Sequence, residues 1–202
     1  FAKALSDLEL SHDTSTPHRP QTNGVAERAV RRVKEGTSCT LVQSGYDNDW
    51  WPDVMDCYCF LRNTVDVLAN DSTAYKARFG EDFRGPTIPC GAEITYHPIS
   101  DKDKKRCHQM GQKLLSGIFL GYIQHAGGGW ANDLQIIDWE EMENAEHKSD
   151  VHPKRFKAGE IKVVKVDDKY HFPLATGELR QPRSDGNVRH RQRRQRAIPE
   201  PA

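Results

Sequence analysis

The hydrophobic pattern of this 202-residue chain changes once, between residues 85 and 91, and that change limits the folds available to it. Before the change, apolar residues recur at intervals of three and four, which is the spacing of one helix face. After it, short runs rich in β-branched and aromatic residues are separated by Gly, Pro or charged turns, a pattern typical of strands. Helices followed by strands predict an α+β fold.

Three helices are predicted in the first part. One begins at Asn23 or Gly24, both good helix-start residues, and runs to about Val42 with an apolar stripe. The stripe consists of Val30, Val33, Thr37 and Leu41. A third, short helix is predicted for Ser72 to Phe79, ended by Gly80.

The second helix lies in the stretch DNDWWPDVMDCYCFLRNTV. Asp49 is its predicted N-cap, and Pro52 is tolerated in the first turn. Its apolar residues fall on one face, which predicts that this face is buried; they are Trp51, Val54, Met55, Tyr58, Leu61 and Val65.

Five short segments predict strands, and together they predict a small barrel or curled sheet. They are AEITYHPI, SGIFLGYI, NDLQIIDW, HKSDVHPKRF and EIKVVKV. After Pro173 the apolar residues thin out and Arg, Gln and Pro dominate, which predicts a disordered basic tail.

The composition bears on nucleic-acid, membrane and zinc binding. The formal net charge is zero, but the charge is unevenly distributed: seven Arg lie between Arg180 and Arg196 with only Asp185 opposing them, whereas residues 133–150 are strongly acidic. No apolar run approaches the ~20 residues of a membrane-spanning helix, and the N-terminus has no signal-peptide pattern, so a soluble protein with no membrane partner is expected. The five Cys form no CxxC pair and the nine His are scattered, so we expect reduced, mostly buried thiols and no zinc site.

The stretch STPHRPQTNGVAERAVRRVKE carries the most specific chemistry. In a helix that begins near Gly24, Glu27 lies in the first turn, where the helix dipole favours a carboxylate. Arg31 and Lys34 follow at four and seven residues and project from nearly the same face. A carboxylate followed by two cations along one helix face is suited to bind a metal ion at the carboxylate and phosphate groups at the cations. The alternative is an ordinary Glu27–Arg31 ion pair, worth a few tenths of a kcal/mol on an exposed helix.

The run PHRPQTNGVAER resembles the signature of copia-type retrotransposon integrases, Pro-x-x-Pro-Gln-x-Asn-Gly-Val-Ala-Glu-Arg. Nine of the twelve positions match it: Pro17, Pro20, Gln21, Asn23, Gly24, Val25, Ala26, Glu27 and Arg28. The resemblance covers roughly residues 12 to 156 and continues at the Trp50-Trp51 helix, TAYKARFG, SGIFLGY and SDVHPKRF. FLRNTV departs from the family's usual Asn-Arg near the end of that helix.

This resemblance implies three parts: the C-terminal part of an RNase H-like catalytic core in residues 1–85, an SH3-like β domain in residues 86–172 and a disordered Arg-rich tail in residues 173–202. It implies DNA integration by 3′-end processing and strand transfer in the complete protein. The family active site holds two Mg²⁺ (or Mn²⁺) ions between two Asp and one Glu. Glu27 matches that Glu, and family spacing places both Asp before Phe1. We therefore expect no tight metal binding and no catalysis by these 202 residues alone.

The resemblance also implies DNA partners, both element ends and target, and other integrase protomers. Related integrases place basic residues of this helix on the element's DNA end. The DNA-binding candidates are His18, Arg19, Gln21, Asn23, Arg28, Arg31 and Lys34, with tail contacts from Arg189, Arg191, Arg193, Arg194 and Arg196. Integration implies a nuclear location, with assembly in the cytoplasm. The alternatives are a non-catalytic nucleic-acid-binding protein and a decayed relic of a transposable element.

Overall fold

A computed structural model describes Asp7 and residues 23–68, 71–107, 109–111 and 113–182. The chain divides into two compact units, residues 1–35 and 36–202. The helices are α1 (Gly24–Ser44), α2 (Trp51–Val65), α3 (Ala74–Phe79), α4 (Asp101–Lys104), α5 (Trp139–Asn144) and α6 (Pro173–Thr176). Short 3₁₀ turns occupy Asn48–Trp50, Lys148–Asp150 and Ala158–Glu160. In the part of the chain described, no helix is long and apolar enough to cross a bilayer.

The strands form two antiparallel sheets, so the predicted α+β class is confirmed in general terms. The five-stranded sheet has the order β4-β3-β2-β1-β5, and its strands are β1 (Glu93–Tyr96), β2 (Leu115–Gln124), β3 (Trp130–Asp138), β4 (Lys154–Lys157) and β5 (Ile161–Val163). A two-stranded sheet pairs β6 (Lys165–Val166) with β7 (Lys169–Tyr170). Each of the five predicted strand segments contributes to a strand.

Helix α3 ends at Phe79, as its sequence predicts, but begins at Ala74, two residues after the predicted start at Ser72. The Thr73 hydroxyl accepts a hydrogen bond from the Lys76 backbone N–H at 3.1 Å, which satisfies one of the free donors of the first turn. Gly80 ends the helix in the left-handed conformation, with φ of 78°.

The predicted cap of α2 is wrong, and its predicted buried face is correct only in part. The N-cap residue is Trp50, which ends a 3₁₀ turn and makes no side-chain cap hydrogen bond, so Asp49 is not the cap. Trp51 and Val65 are each 53% exposed. The buried residues of the helix are Val54, as predicted, with Cys57, Phe60 and Thr64, while Met55, Tyr58 and Leu61 are half-buried. The 3₁₀ turn places Trp50 rather than Trp51 in the core, which rotates the buried face by about one residue, or 100°.

Helix α2 and the sheet share one hydrophobic core. Phe60 stacks on Tyr122 of β2 with ring centroids 4.4 Å apart, and Gly121 of β2 faces Cys57. This core includes residues on both sides of residue 85.

The C-terminal segment 173–182, assigned from the sequence to a disordered tail, is ordered. Helix α6 lies within it, and Leu174 and Leu179 are buried. The Gln181 amide donates to the Gly45 carbonyl and accepts from the Asp47 N–H, each at 2.8 Å. The predicted start of disorder at residue 173 is therefore too early. Residues 183–202 lie outside the described part of the chain.

Candidate nucleic-acid interface

The first half of α1 carries the candidate site. The helix follows a 3₁₀ residue, Asn23, and its first turn contains Glu27, as predicted. The Arg28 side chain turns back along the helix, and its Nε donates to the Gly24 carbonyl at 3.1 Å. This bond holds the Arg28 side chain near the start of the helix.

Glu27, Arg31 and Lys34 lie along one face of α1, as their spacing predicts, and all three are exposed. They line a shallow depression together with Asn23, Ala26, Val30 and Glu35. Two cations thus follow the carboxylate within two helical turns on a surface open to solvent.

Charge rather than apolar burial distinguishes this half of the helix. Residues 23–35 contain four basic side chains and two acidic ones. The apolar side chains Val25 and Val30 are 76% and 53% exposed. The predicted apolar stripe is therefore exposed at Val30, half-buried at Val33 and Leu41, and fully buried only at Thr37. A long, exposed and basic helix end is suited to contact phosphates.

The residues described do not complete a divalent metal site. Among them, no group of three or more His, Cys, Asp or Glu side chains could hold a metal ion. On the α1 face, Glu27 is followed by the cations Arg31 and Lys34. Mg²⁺ requires near-octahedral oxygen coordination, usually from more than one carboxylate or from substrate phosphates.

Several of the predicted DNA contacts lie outside the described residues. These are His18, Arg19 and Gln21 before the helix, and Arg189, Arg191, Arg193, Arg194 and Arg196 in the tail. The structure brings together Asn23, Glu27, Arg31 and Lys34 on one face, whereas Arg28 is directed toward the helix start.

Sequence reasoning missed the polar network that joins β3 to its neighbours. Asp138, at the end of β3, accepts hydrogen bonds from the Tyr96 hydroxyl and from Arg106 Nη1, the latter at 2.9 Å. Burial alone would raise the pKa of Asp138, but the bonds from Arg106 and Tyr96 hold that pKa below its usual value. The aspartate is therefore charged and paired inside the sheet.

Asp133 forms a second such pair. Its carboxylate lies 2.5 Å from Arg155 Nη2 and 2.8 Å from Lys157 Nζ, both on β4. Lys154 of the same strand pairs with Asp103 at 3.0 Å. Most of the positive charge of β4 is therefore engaged with carboxylates within the fold, which leaves α1 as the less neutralised basic surface.

Comparison with known proteins finds a partial match. A stretch of 125 residues is 27% identical to the retrovirus-related Pol polyprotein from transposon RE2 of Arabidopsis thaliana. The match covers 57% of this chain but only 8% of that protein. No family model and no solved structure matches the chain. The chain is thus similar to a small part of a retrotransposon Pol polyprotein.

Proposed function

We propose that this chain is a piece of a retrotransposon Pol polyprotein, from its integrase region, and that the first half of α1 binds the phosphate backbone of DNA. The observation that carries the proposal is the exposed face on which Glu27, Arg31 and Lys34 lie together. The similarity to a transposon Pol polyprotein supports the same assignment.

The geometry of the helix suits phosphate contact. Residues rise about 1.5 Å each along the axis, so Arg31 and Lys34 lie about 4.5 Å apart along it. Both side chains are long enough to reach neighbouring phosphates of one strand. Neutralising phosphates releases condensed counterions, so this contact is sequence-independent and sensitive to salt.

The assignment to a copia-type integrase rests on the sequence signature of that family. Under this assignment, the helical region belongs to an RNase H-like core and the five-stranded sheet to an SH3-like domain. The complete protein then acts in the nucleus. Glu27 is then one of three carboxylates that hold two Mg²⁺ (or Mn²⁺) ions, the other two being supplied by Asp residues of the longer protein. The DNA partners are the element ends and the target.

The binding proposal is tested by removing the two cations from the Glu27 face. The double variant Arg31→Ala/Lys34→Ala should bind duplex DNA more weakly, and the slope of log K against log salt should fall by about 1.8, or roughly 0.9 for each phosphate that is no longer neutralised. Arg32→Ala is the matched control, because Arg32 is an exposed cation of the same helix on another face. Titration by fluorescence anisotropy across a range of salt concentrations measures both values.

Equal salt slopes for the double variant and the wild-type chain would contradict the proposal. A loss of DNA affinity from Arg32→Ala as large as the loss from Arg31→Ala alone or Lys34→Ala alone would contradict it too. A non-catalytic nucleic-acid-binding protein would give the same binding result. The two functions separate in a longer Pol protein, in which Glu27→Gln should abolish DNA joining and preserve DNA binding only if the protein is an integrase.

A further inference from the structure

Two cysteines lie together in the core between helix α2 and the sheet. Cys57 of α2 and Cys90, in the loop before β1, are each 1% exposed. Of the five free cysteines, only these two are buried, so the expectation of mostly buried thiols fails for Cys39, which is exposed, and for the half-buried Cys59 and Cys107.

Both thiols meet strand β2 at consecutive residues. The Cys90 thiol lies 3.2 Å from the Leu120 carbonyl oxygen. A Cβ built on the next residue, Gly121, would lie 3.4 Å from Cys57 Cβ and 4.0 Å from its sulfur. A hydrogen bond with the Cys57 side chain, followed by burial, raises the pKa of Cys90 well above its usual value. The two side chains therefore meet β2 at consecutive residues, Leu120 and Gly121, and the glycine leaves room for α2 to approach.

The segment that carries Cys90 is held firmly to the sheet. The Gly91 N–H donates to the Phe119 carbonyl at 2.8 Å, and the Phe119 N–H donates to the Ala92 carbonyl at 2.9 Å. The Ile88 N–H donates to the Tyr122 hydroxyl at 2.7 Å. Because these bonds fix Cys90 against β2 while packing fixes Cys57, the fold pre-positions the pair.

We propose that Cys57 and Cys90 form a redox pair whose oxidation to a disulfide cross-links helix α2 to the loop before β1. The inference does not depend on nucleic-acid binding. The oxidant is a small-molecule disulfide, such as oxidised glutathione. One cysteine thiolate attacks a sulfur of the oxidant, forms a mixed disulfide and expels one glutathione thiolate. The second cysteine attacks the protein sulfur of that mixed disulfide and expels the other. The two protein thiol protons leave on the two glutathione molecules, and the pair loses two electrons.

Burial sets the rate of this reaction. Neither thiol is accessible in the closed fold, and the raised pKa of Cys90 keeps its thiolate scarce. Oxidation therefore requires local opening between α2 and the loop, and it should be slower than the reaction of the exposed Cys39. Once formed, the cross-link closes a loop of more than thirty residues and restricts the unfolded chain.

The test incubates the folded 202-residue chain with excess oxidised glutathione, blocks free thiols, digests the chain and maps disulfides by mass spectrometry. The expected result is a peptide pair joining Cys57 to Cys90 and a rise in Tm of roughly 5 °C or more. Cys59→Ser is the matched control, two residues along the same helix, and should keep the cross-link, whereas Cys90→Ser should remove it.

A second arm oxidises the chain in urea, where no fold pre-positions the thiols. There the cysteines should pair without preference. The proposal is overturned if Cys57 and Cys90 of the folded chain are still free thiols when the incubation is extended until thiol loss stops, well after the faster-reacting Cys39 has become glutathionylated. Pairing of Cys57 with another cysteine overturns it too, as does an equal yield of the Cys57–Cys90 pair in urea. Because these arms use the wild-type chain, they remain decisive if Cys90→Ser fails to fold.

Discussion

At the scale of single residues, Gly36 shows how closely two helices approach. A Cβ built on Gly36 of α1 would lie 2.0 Å from the Tyr58 ring carbon Cζ and 2.2 Å from its hydroxyl oxygen. No real Cβ contact is that short, so the ring would have to move. Gly36→Ala should therefore lower the free energy of unfolding by about 1–3 kcal/mol, although alanine favours the helix itself.

Gly24→Ala is the control for Gly36→Ala, because a Cβ at Gly24 meets no atom within 4 Å. This control should leave the stability unchanged or slightly higher. Urea unfolding followed by circular dichroism compares the two variants. Equal stabilities for Gly36→Ala and the wild-type chain would show that the Tyr58 ring moves away without cost.

The sequence could not indicate the role of Gly36. A glycine inside a helical pattern lowers helix propensity, and only the position of Tyr58 on another helix explains it. The sequence did predict the shared face of Glu27, Arg31 and Lys34, because helical geometry alone places residues four and seven apart on one face. Local relations of this kind are predictable, whereas contacts between distant segments are not.

At the scale of elements, the segment around α6 is held to β1 through a histidine. His171 Nδ1 lies 2.7 Å from the Glu93 carboxylate, and Nε2 lies 3.1 Å from the Glu178 carboxylate. The hydrogen bond with Glu93 is the main reason that the pKa of His171 is raised, although burial opposes it. Charged imidazole between two carboxylates therefore stabilises the folded chain.

The pH dependence follows from that raised pKa. Because the folded state binds the proton more tightly, the stabilisation is complete below the unfolded pKa, near 6.5, and is lost as the pH rises through the folded value. The stability advantage of the wild-type chain over His171→Gln should thus shrink as the pH increases above 6.5. Thermal unfolding of the wild-type chain and His171→Gln across this pH range measures the difference in stability. A difference that does not change with pH would contradict a charged His171 imidazole.

Predictability differed among elements for physical reasons. The end of α3 could be predicted because Gly80 caps it locally. The buried face of α2 was predicted only in part, because a 3₁₀ turn before the helix places Trp50 rather than Trp51 in the core. The ordered segment 173–182 was missed because Leu174 and Leu179 are sparse apolar residues whose burial depends on distant parts of the chain.

At the scale of the whole molecule, the zero net charge conceals three differently charged parts. Residues 36–182 contain 17 basic and 22 acidic side chains, a net charge of −5 with His neutral. Residues 1–35 carry six basic and five acidic side chains, and residues 183–202 carry six Arg against two acids. An acidic central part repels DNA on average, so the positive charge available for binding is concentrated in the two ends of the chain.

This distribution predicts that the tail contributes to DNA binding. A chain ending at Pro182 lacks six Arg and should bind duplex DNA more weakly, with a log–log salt slope reduced by about 0.9 for each phosphate that the tail neutralises. The truncation belongs at Pro182 rather than at residue 173, since removing residues 173–182 would also remove buried Leu174 and Leu179 and the Gln181 hydrogen bonds.

A chain ending at Phe172 separates these two effects. It should unfold at a lower temperature than the chain ending at Pro182, because it lacks the buried side chains of Leu174 and Leu179. If truncation at Pro182 leaves the salt slope unchanged, the tail makes no phosphate contacts. The slope must then depend on α1, and Arg31→Ala/Lys34→Ala in the truncated chain should abolish most of it.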